Sequence, residues 1–390
     1  MAEPLRIATF NTELSRAGPG LLLRDIAKGA DPQVTAVTRL LADVAADIIV
    51  LQGVDYDLGG TTLGALADRV GEAGPSYPYR FALPPNAGRP TGLDMDGDGK
   101  TGGARDGQGY GRFFGAGAMA ILSRYPVLRT DVQDYSDFLW RDMPDALLPQ
   151  TDGAPFPSAA AHEVQRLASH GAWAVPLDIP DQAPLTLLTF YATPPVFDGP
   201  EDRNGKRNHD EILFWDHYLA GSFGPPPTDR FILLGDANLD PAKGEGLRAA
   251  IQTLLDHPAL QDPLAGQPTV TFDGLGDMRV DYLLPSTDWR IVAAGVARRQ
   301  QTVLSCSGMQ ILIRRKAKGC APRSRRCWIT PRSTTRWRAS PPSPSTVWEI
   351  CVSTIYCLQP TGASSPLAWP ATPLPAAMAW SGSILTASRS

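Results

Sequence analysis

The chain has 390 residues, 43% of them hydrophobic and 19% charged, and a formal net charge of −4. That is ample apolar content for a buried core, yet no uninterrupted apolar run is long enough to span a bilayer. The averages hide a break near residue 300: residues 301–390 hold eleven Arg or Lys against one acid, Glu349, while the remainder holds 25 bases against 39 acids.

The start, Met1-Ala2-Glu3-Pro4-Leu5-Arg6, has no apolar h-region, so no secretory signal is read and a cytoplasmic location is the default expectation. Leu5 to Asn11 alternates and predicts a strand. Val34 to Val44 has helical spacing, with Asp31-Pro32 as its start. Asp47 to Gln52 is a short β-branched run, a buried strand, and Thr62 to Glu72 predicts a second helix. Strands alternating with helices indicate an α/β layered domain.

Residues 84–113 form a long Gly-rich loop. Within it, Asp94, Asp96 and Asp98 alternate and a Gly follows, as in the first half of a calcium loop. The twelfth position is Arg105, where that loop needs a bidentate Glu, so a polar turn cluster competes with a Ca2+ site. Gly117 to Arg124 predicts a strand. Residues 135–168 show no period and are expected to run over one face. Trp173–Ile179 and Pro184–Tyr191 predict a hairpin around Pro180-Asp181.

Asn208 and Glu211 are spaced like a capping box, which starts a helix at Asn208. Phe231-Ile232-Leu233-Leu234 then leads into Gly235-Asp236-Ala237-Asn238. This predicts a buried strand that delivers an Asp and an Asn to the rim of a sheet. An Asp there can orient and deprotonate water, and an Asn can hold a phosphoryl oxygen without adding charge. The competing reading is a plain turn, which Gly, Asp and Asn all favour. A short helix over Glu245–Leu255 and strands over Val280–Leu284 and Trp289–Ala294 complete the body. Trp173 and Trp215 are expected in the core. His170, His209, His217 and His257 are expected as surface or capping groups.

Two domains follow: a body, 1–300, and a basic tail, 301–390, rich in Cys, Trp, Pro and Ser. The tail holds all five cysteines and five of the nine tryptophans, but no histidine. Its cysteine spacing forms no paired metal motif. A basic aromatic tail could bind nucleic acid. The tail is expected to be disordered or out-of-frame: ordinary disordered tails are poor in Trp and Cys, so out-of-frame translation of a GC-rich gene is the preferred reading.

Four motifs then stand in order: Arg6-Ile7-Ala8-Thr9-Phe10-Asn11, Ala46 to Gln52, Gly235 to Asn238, and Arg279-Val280-Asp281-Tyr282. Together they resemble the endonuclease/exonuclease/phosphatase superfamily over about residues 5–297. The resemblance implies a four-layer α/β sandwich of two mixed β-sheets flanked by helices. It also implies phosphoester hydrolysis of phosphodiesterase, nuclease or phosphatase type, with Mg2+ or Mn2+. Asp236 would match the water-activating acid, Asn238 the phosphate-orienting amide, Asn11 the metal-side ligand and Asp281 a supporting acid.

Three departures stand out. Position 53 is Gly where the family carries its metal Glu, with Asp55 two residues on. Tyr191 stands where a catalytic His is expected, and no His follows His257 to close the last motif. The departures imply an impaired hydrolase, with a non-catalytic metal or phosphoester binder, or a decayed copy, as the alternatives. The acidic body disfavours nucleic acid as substrate.

Overall fold

In a computed structural model, the structure describes residues 4–272, 274–297, 354–359 and 385–389. The chain opens with β1 (Leu5–Asn11), α1 (Leu21–Lys28), α2 (Pro32–Val44), β2 (Ile48–Val54) and α3 (Thr61–Gly71). The Asp31 side chain accepts from the Val34 N–H at 2.8 Å and caps α2. Pro32 sits at the helix start, where its missing N–H costs nothing. Helix α1 was not expected from the sequence. It is only eight residues long and buries just Leu22 and Ile26.

β3 (Tyr79–Phe81) and β4 (Ala118–Ser123) follow, joined by the Gly-rich loop. Next come β5 (Gln133–Asp134), β6 (Gln150–Thr151), β7 (Ala154–Pro155) and α4 (Ala159–Val164). After these short elements, β8 (Ala172–Leu177) and β9 (Leu185–Tyr191) form the expected hairpin. Then come α5 (Arg203–Leu219), β10 (Phe231–Asp236), α6 (Ala249–Leu255), β11 (Val270–Phe272) and β12 (Gly276–Met278). The last elements are β13 (Asp281–Pro285), β14 (Trp289–Val296), β15 (Thr354–Gln359) and β16 (Leu385–Arg389).

The capping box is corrected. Helix α5 begins at Arg203, so Asn208 and Glu211 lie inside it. Both are buried and serve neighbouring loops instead. Asn208 Nδ2 donates to the Thr193 and Ala237 carbonyls at 2.8 and 2.7 Å, and Glu211 accepts from the Ser169 and Thr193 N–H groups at 2.5 and 2.6 Å. Polar residues that look like a helix start therefore bolt the helix to the loops at the ends of β9 and β10.

The strands form two mixed sheets. One runs β14-β16-β15-β1-β2-β4-β3 and the other β13-β10-β9-β8-β5. β1 is parallel to β2, and β9 is parallel to β10. One core lies between the sheets. It takes Leu5 and Ile7 from β1, Ile48 and Val50 from β2, Leu185 and Leu187 from β9, Ile232 and Leu234 from β10, and Leu283 from β13. The opposite face of the second sheet packs Leu188, Phe190, Leu233 and Leu284 against Ile212, Trp215, Ile251 and Leu254 of α5 and α6. The result is the expected sandwich of two mixed sheets flanked by helices. Trp173 and Trp215 are in the core, 1% and 0% exposed.

Most of the tail expected beyond residue 300, with four of its five cysteines and its disordered or out-of-frame reading, lies outside the described residues. Of it, β15 pairs antiparallel with β1 and β14, and β16 pairs antiparallel with β14. Among the described residues, no helix is long and apolar enough to cross a membrane.

Candidate active site

The core columns between the sheets alternate along each strand, because side chains of one face recur every second residue. Following those columns to one end of the sandwich changes their chemistry. Leu5, Ile7 and Thr9 lead to Asn11, and Ile48 and Val50 lead to Gln52. Leu185 and Leu187 lead to Thr189 and Tyr191, Ile232 and Leu234 lead to Asp236, and Leu283 leads to Asp281. The apolar core thus ends in a polar floor.

Register makes this floor compact. Asp236 lies opposite Tyr191 on one side and Asp281 on the other, so three strand ends place three polar side chains abreast. In the facing sheet, Asn11 lies opposite Gln52. Gln52 is fully buried and is used internally, exchanging hydrogen bonds with the Thr9 hydroxyl at 3.1 and 3.3 Å. Asn11 bridges the sheets. Its Nδ2 donates to Asp236 Oδ2 at 2.8 Å and to the Tyr191 hydroxyl at 3.3 Å.

The Gly-Asp-Ala-Asn stretch is explained residue by residue. A Cβ on Gly235 would lie 2.0 Å from the Phe190 carbonyl oxygen, so only glycine lets β10 approach β9 here. Asp236 Oδ1 accepts from the Asn238 N–H at 2.8 Å, which turns the chain after the strand. Asn238 takes a left-handed conformation, φ 50°, which Asn tolerates better than most residues. Its Nδ2 donates to the Ala192 carbonyl at 2.9 Å and ties the ends of β9 and β10 together. The stretch is both a turn and a site rim.

Electrostatics mark this floor. Asp236 is pushed above the usual carboxylate range by burial, against the lowering effect of the Asn11 amide and the Asn238 N–H. Asp281 is raised well above its ordinary value by burial and then by the charge of Asp236. Both carboxylate oxygens of Asp281 are buried without a well-formed hydrogen bond. A third acid, which sequence reasoning missed, is Glu13, raised to about 7 by burial and by Asp236. An unpaired buried carboxylate is costly, and several together are costlier. Asn11, Asp236 and Asp281 offer oxygen ligands only, and the Asp281 oxygens lack a well-formed hydrogen bond, which suits a hard divalent cation.

The remaining expected residues fall elsewhere. Asp55 is buried and committed to structure, accepting from the Ser15 hydroxyl, the Arg16 N–H and the Gly117 N–H at 2.8, 2.9 and 3.1 Å. It is committed to the fold rather than standing in for the Glu that the resemblance leads one to expect at position 53. His170 is corrected from a surface group. Its ring stacks on Tyr191 with centroids 3.9 Å apart, and its Nδ1 lies 3.2 Å from the Tyr191 carbonyl oxygen. Burial pushes its pKa down to about 4, so it is neutral near pH 7. His257 is a capping group as expected: its N–H closes the end of α6 on the Leu254 carbonyl and its Nδ1 accepts from the Ala259 N–H at 3.1 Å.

In the Gly-rich loop, carboxylate oxygens of Asp94, Asp96 and Asp106 lie within 4.8 Å of one another. The third acid is Asp106 rather than Asp98, which accepts from the Lys100 N–H at 2.8 Å. Asp94 accepts from the Gly97 and Gly99 N–H groups, and Asp106 from those of Met95 and Gly103, all at 2.6–2.9 Å. These acids hold the loop's own backbone, which is the work of a polar turn cluster.

The fold is a two-sheet sandwich whose core ends in Asn11, Asp236 and Asp281 at neighbouring strand ends. The chain belongs to the Endonuclease/Exonuclease/phosphatase family, whose model matches residues 8–302. Members of this family are typically divalent-metal-dependent phosphoesterases. Among solved structures, it is similar to an endonuclease/exonuclease/phosphatase from Beutenbergia cavernae, at 18% identity and TM-score 0.46, covering 75% of this chain and 67% of that one. It is also similar to sphingomyelinase C from Streptomyces griseocarneus, at 16% identity and TM-score 0.43, covering 80% and 94%. A magnesium-bound beta toxin mutant from Staphylococcus aureus is similar at 11% identity and TM-score 0.39, covering 72% and 83%. No protein of curated function matches the chain.

Proposed function

We propose that the chain is a slow phosphoester hydrolase dependent on Mg2+ or Mn2+, acting on a small phosphodiester rather than on nucleic acid. The observation that carries this reading is the joining of Asn11 and Asp236 across the two sheets, with Asp281 abreast of Asp236. Asn11, Asp236 and Asp281 would hold the cation, which when bound neutralises phosphoryl and leaving-group oxygens. Asp236 is already oriented by Asn11 and Asn238, so its remaining lone pairs can direct an attacking water and take its proton. Asn238 sits on the rim, and the amide N–H that does not bond the Ala192 carbonyl would serve a phosphoryl oxygen.

Tyr191 sets the rate. A His in its place could carry positive charge toward the developing transition state, whereas a phenol is neutral near pH 7. His170 behind it is also neutral, because burial lowers its pKa. The same observation supports a second reading, a binder of cation and phosphoester that does not turn over. The preference for a small substrate rests on the acid excess of residues 1–300.

Hydrolysis of bis(p-nitrophenyl) phosphate with Mn2+ or Mg2+ tests the proposal. Slow, chelator-sensitive turnover that falls at least about a hundredfold in D236N is expected. Turnover that survives D236N would remove the assignment. Chelator-sensitive binding of the phosphodiester with no turnover would select the binder.

A further inference from the structure

Exposed apolar side chains are not spread evenly over the molecule. Among the described residues, nine large hydrophobic side chains are exposed, and seven of them stand on connections at the polar end of the sandwich. On the first sheet these are Leu58, just after β2, and Tyr110 and Phe114, in the loop from β3 to β4. On the second they are Val164 before β8, Phe197 after β9, Leu247 after β10 and Leu275 before β13. The other two, Tyr79 and Val292, lie on strands. Connections at the opposite end, such as β4 to β5, β8 to β9 and β13 to β14, carry none. A single exposed apolar residue needs no explanation, but a set confined to one end marks a surface that meets something apolar.

Phe197 is firmly held there. It is 76% exposed and takes φ 70°, a left-handed conformation disfavoured for a residue with a Cβ. The residues on either side are tied to the start of α5: the Val196 carbonyl accepts from Asn204 Nδ2 at 2.6 Å, and the Asp198 carboxylate accepts from the Asn204 N–H. Pro194 and Pro195 stiffen the approach from Tyr191, and a Cβ on Gly246 would lie 3.0 Å from Pro195, so the loops after β9 and β10 touch. Strain held by such a frame is characteristic of functional positions.

The same rim carries a cation without a counter-ion. The Arg89 guanidinium carbon lies 4.8 Å from the centroid of the exposed Phe114 ring. Its Nε is buried without a hydrogen-bond partner, and among the described residues Arg89 makes no ion pair. A guanidinium with donors to spare suits a phosphate.

We propose that this rim docks the protein on a zwitterionic phospholipid surface, with Leu58 and Phe197 entering the headgroup boundary and Arg89 meeting a lipid phosphate. The acid excess of residues 1–300 opposes an anionic surface and leaves a zwitterionic one. The polar floor around Asp236 then faces the headgroups, and the phosphodiester it receives is that of a lipid. That last step rests on the proposed hydrolase, whereas the docking does not.

Co-sedimentation of the full chain with phosphatidylcholine vesicles in EDTA tests the docking apart from any catalysis. The wild type is expected to bind, and L58N/F197N to bind at least about tenfold more weakly. Asn tolerates the left-handed conformation at position 197 better than Phe, so this variant removes apolar surface without adding strain. Y79S, which removes an exposed aromatic away from the rim, is expected to bind like the wild type. No binding by the wild type, equal binding by L58N/F197N, or tighter binding to phosphatidylserine vesicles would overturn the proposal. A chain that is dimeric as wild type and monomeric as L58N/F197N, without binding vesicles, would give this face to a second copy and overturn it too. Turnover of soluble bis(p-nitrophenyl) phosphate is expected to be unchanged in L58N/F197N, and a loss matching the loss of vesicle binding would place the two residues in the site and overturn the docking. Vesicle binding without turnover by the wild type would end the hydrolase reading and leave the docking standing.

Discussion

Asp236 and Asp281 face each other across one rung of an antiparallel pair, both buried. Two like charges in such a place destabilise the cation-free protein and suit the cation-bound one. Asp281→Asn should therefore separate stability from binding. At about pH 8 without divalent cations, its melting temperature is expected to rise by about 2–4 °C, the size of ~1 kcal/mol in a domain of this length. Its affinity for Mn2+ is expected to fall. Thermal melts with and without Mn2+ read both effects, and a fall in both would mean that Asp281 only supports the fold.

Gly53→Glu does not restore a missing ligand in this geometry. It places a Cβ against Asn11 Oδ1 and the Glu13 backbone at a positive φ. The expected outcome is a loss of about 1–3 kcal/mol in stability with no gain in Mn2+ affinity. Urea denaturation and the Mn2+ titration check this. A stable variant with tighter binding would mean that the β1 exit segment gives way easily.

Tyr191→His puts an imidazole beside Asp236 and in stacking distance of His170. Phosphodiester turnover is expected to rise by about a hundredfold, the lower end of what a positioned acid or base contributes. Tyr191→Phe, which removes the group that accepts from Asn11, is expected to change turnover little. Steady-state kinetics with Mn2+ on the two variants distinguish a lost imidazole from a tyrosine that has taken over its task.

The pH dependence of stability isolates Glu13. Its pKa is raised from 4.5 to about 7 on folding, so the folded chain holds that proton more tightly than the unfolded one. That contribution is complete below the unfolded pKa and is lost as pH rises through the folded value. His170 acts in the opposite sense: its pKa falls from 6.5 to about 4, so its contribution is present above the unfolded value and is lost as pH falls. The two slopes oppose each other in the wild type. E13Q removes the first and eases the upward push on Asp281, which acts in the same sense, while leaving His170 in place. Without divalent cations, the stability of E13Q relative to wild type is expected to increase from about pH 5 to about pH 8. A constant difference between the two melting curves would show that Glu13 is not perturbed.

Much of this arrangement is legible in the sequence because strand ends carry it. Asn11 ends an alternating stretch, Asp236 ends a continuous apolar run and Asp281 opens the strand Asp281–Pro285, so each stands at a strand end that the apolar pattern marks. The same logic placed Tyr191 and the hairpin before it. Glu13 was not legible, because it lies beyond the strand in a left-handed conformation that no periodicity announces. A Cβ at position 53 would meet the Glu13 backbone, a contact between residues far apart in sequence that no local pattern shows. The capping-box reading of Asn208 and Glu211 failed for a related reason. Buried loop ends needed hydrogen-bond partners, and that tertiary demand outweighed a local helix-start pattern. His170 gave no sign of its place, since stacking on Tyr191 depends on how β8 and β9 pair.

The central claim is that the polar end of the sandwich holds a divalent cation. A Mn2+-soaked crystal measured near the manganese absorption edge tests it most directly. The account expects an anomalous peak within about 2–2.5 Å of carboxylate oxygens of Asp236 and Asp281. A peak confined to the Asp94, Asp96 and Asp106 loop, or none at the strand ends, would contradict it.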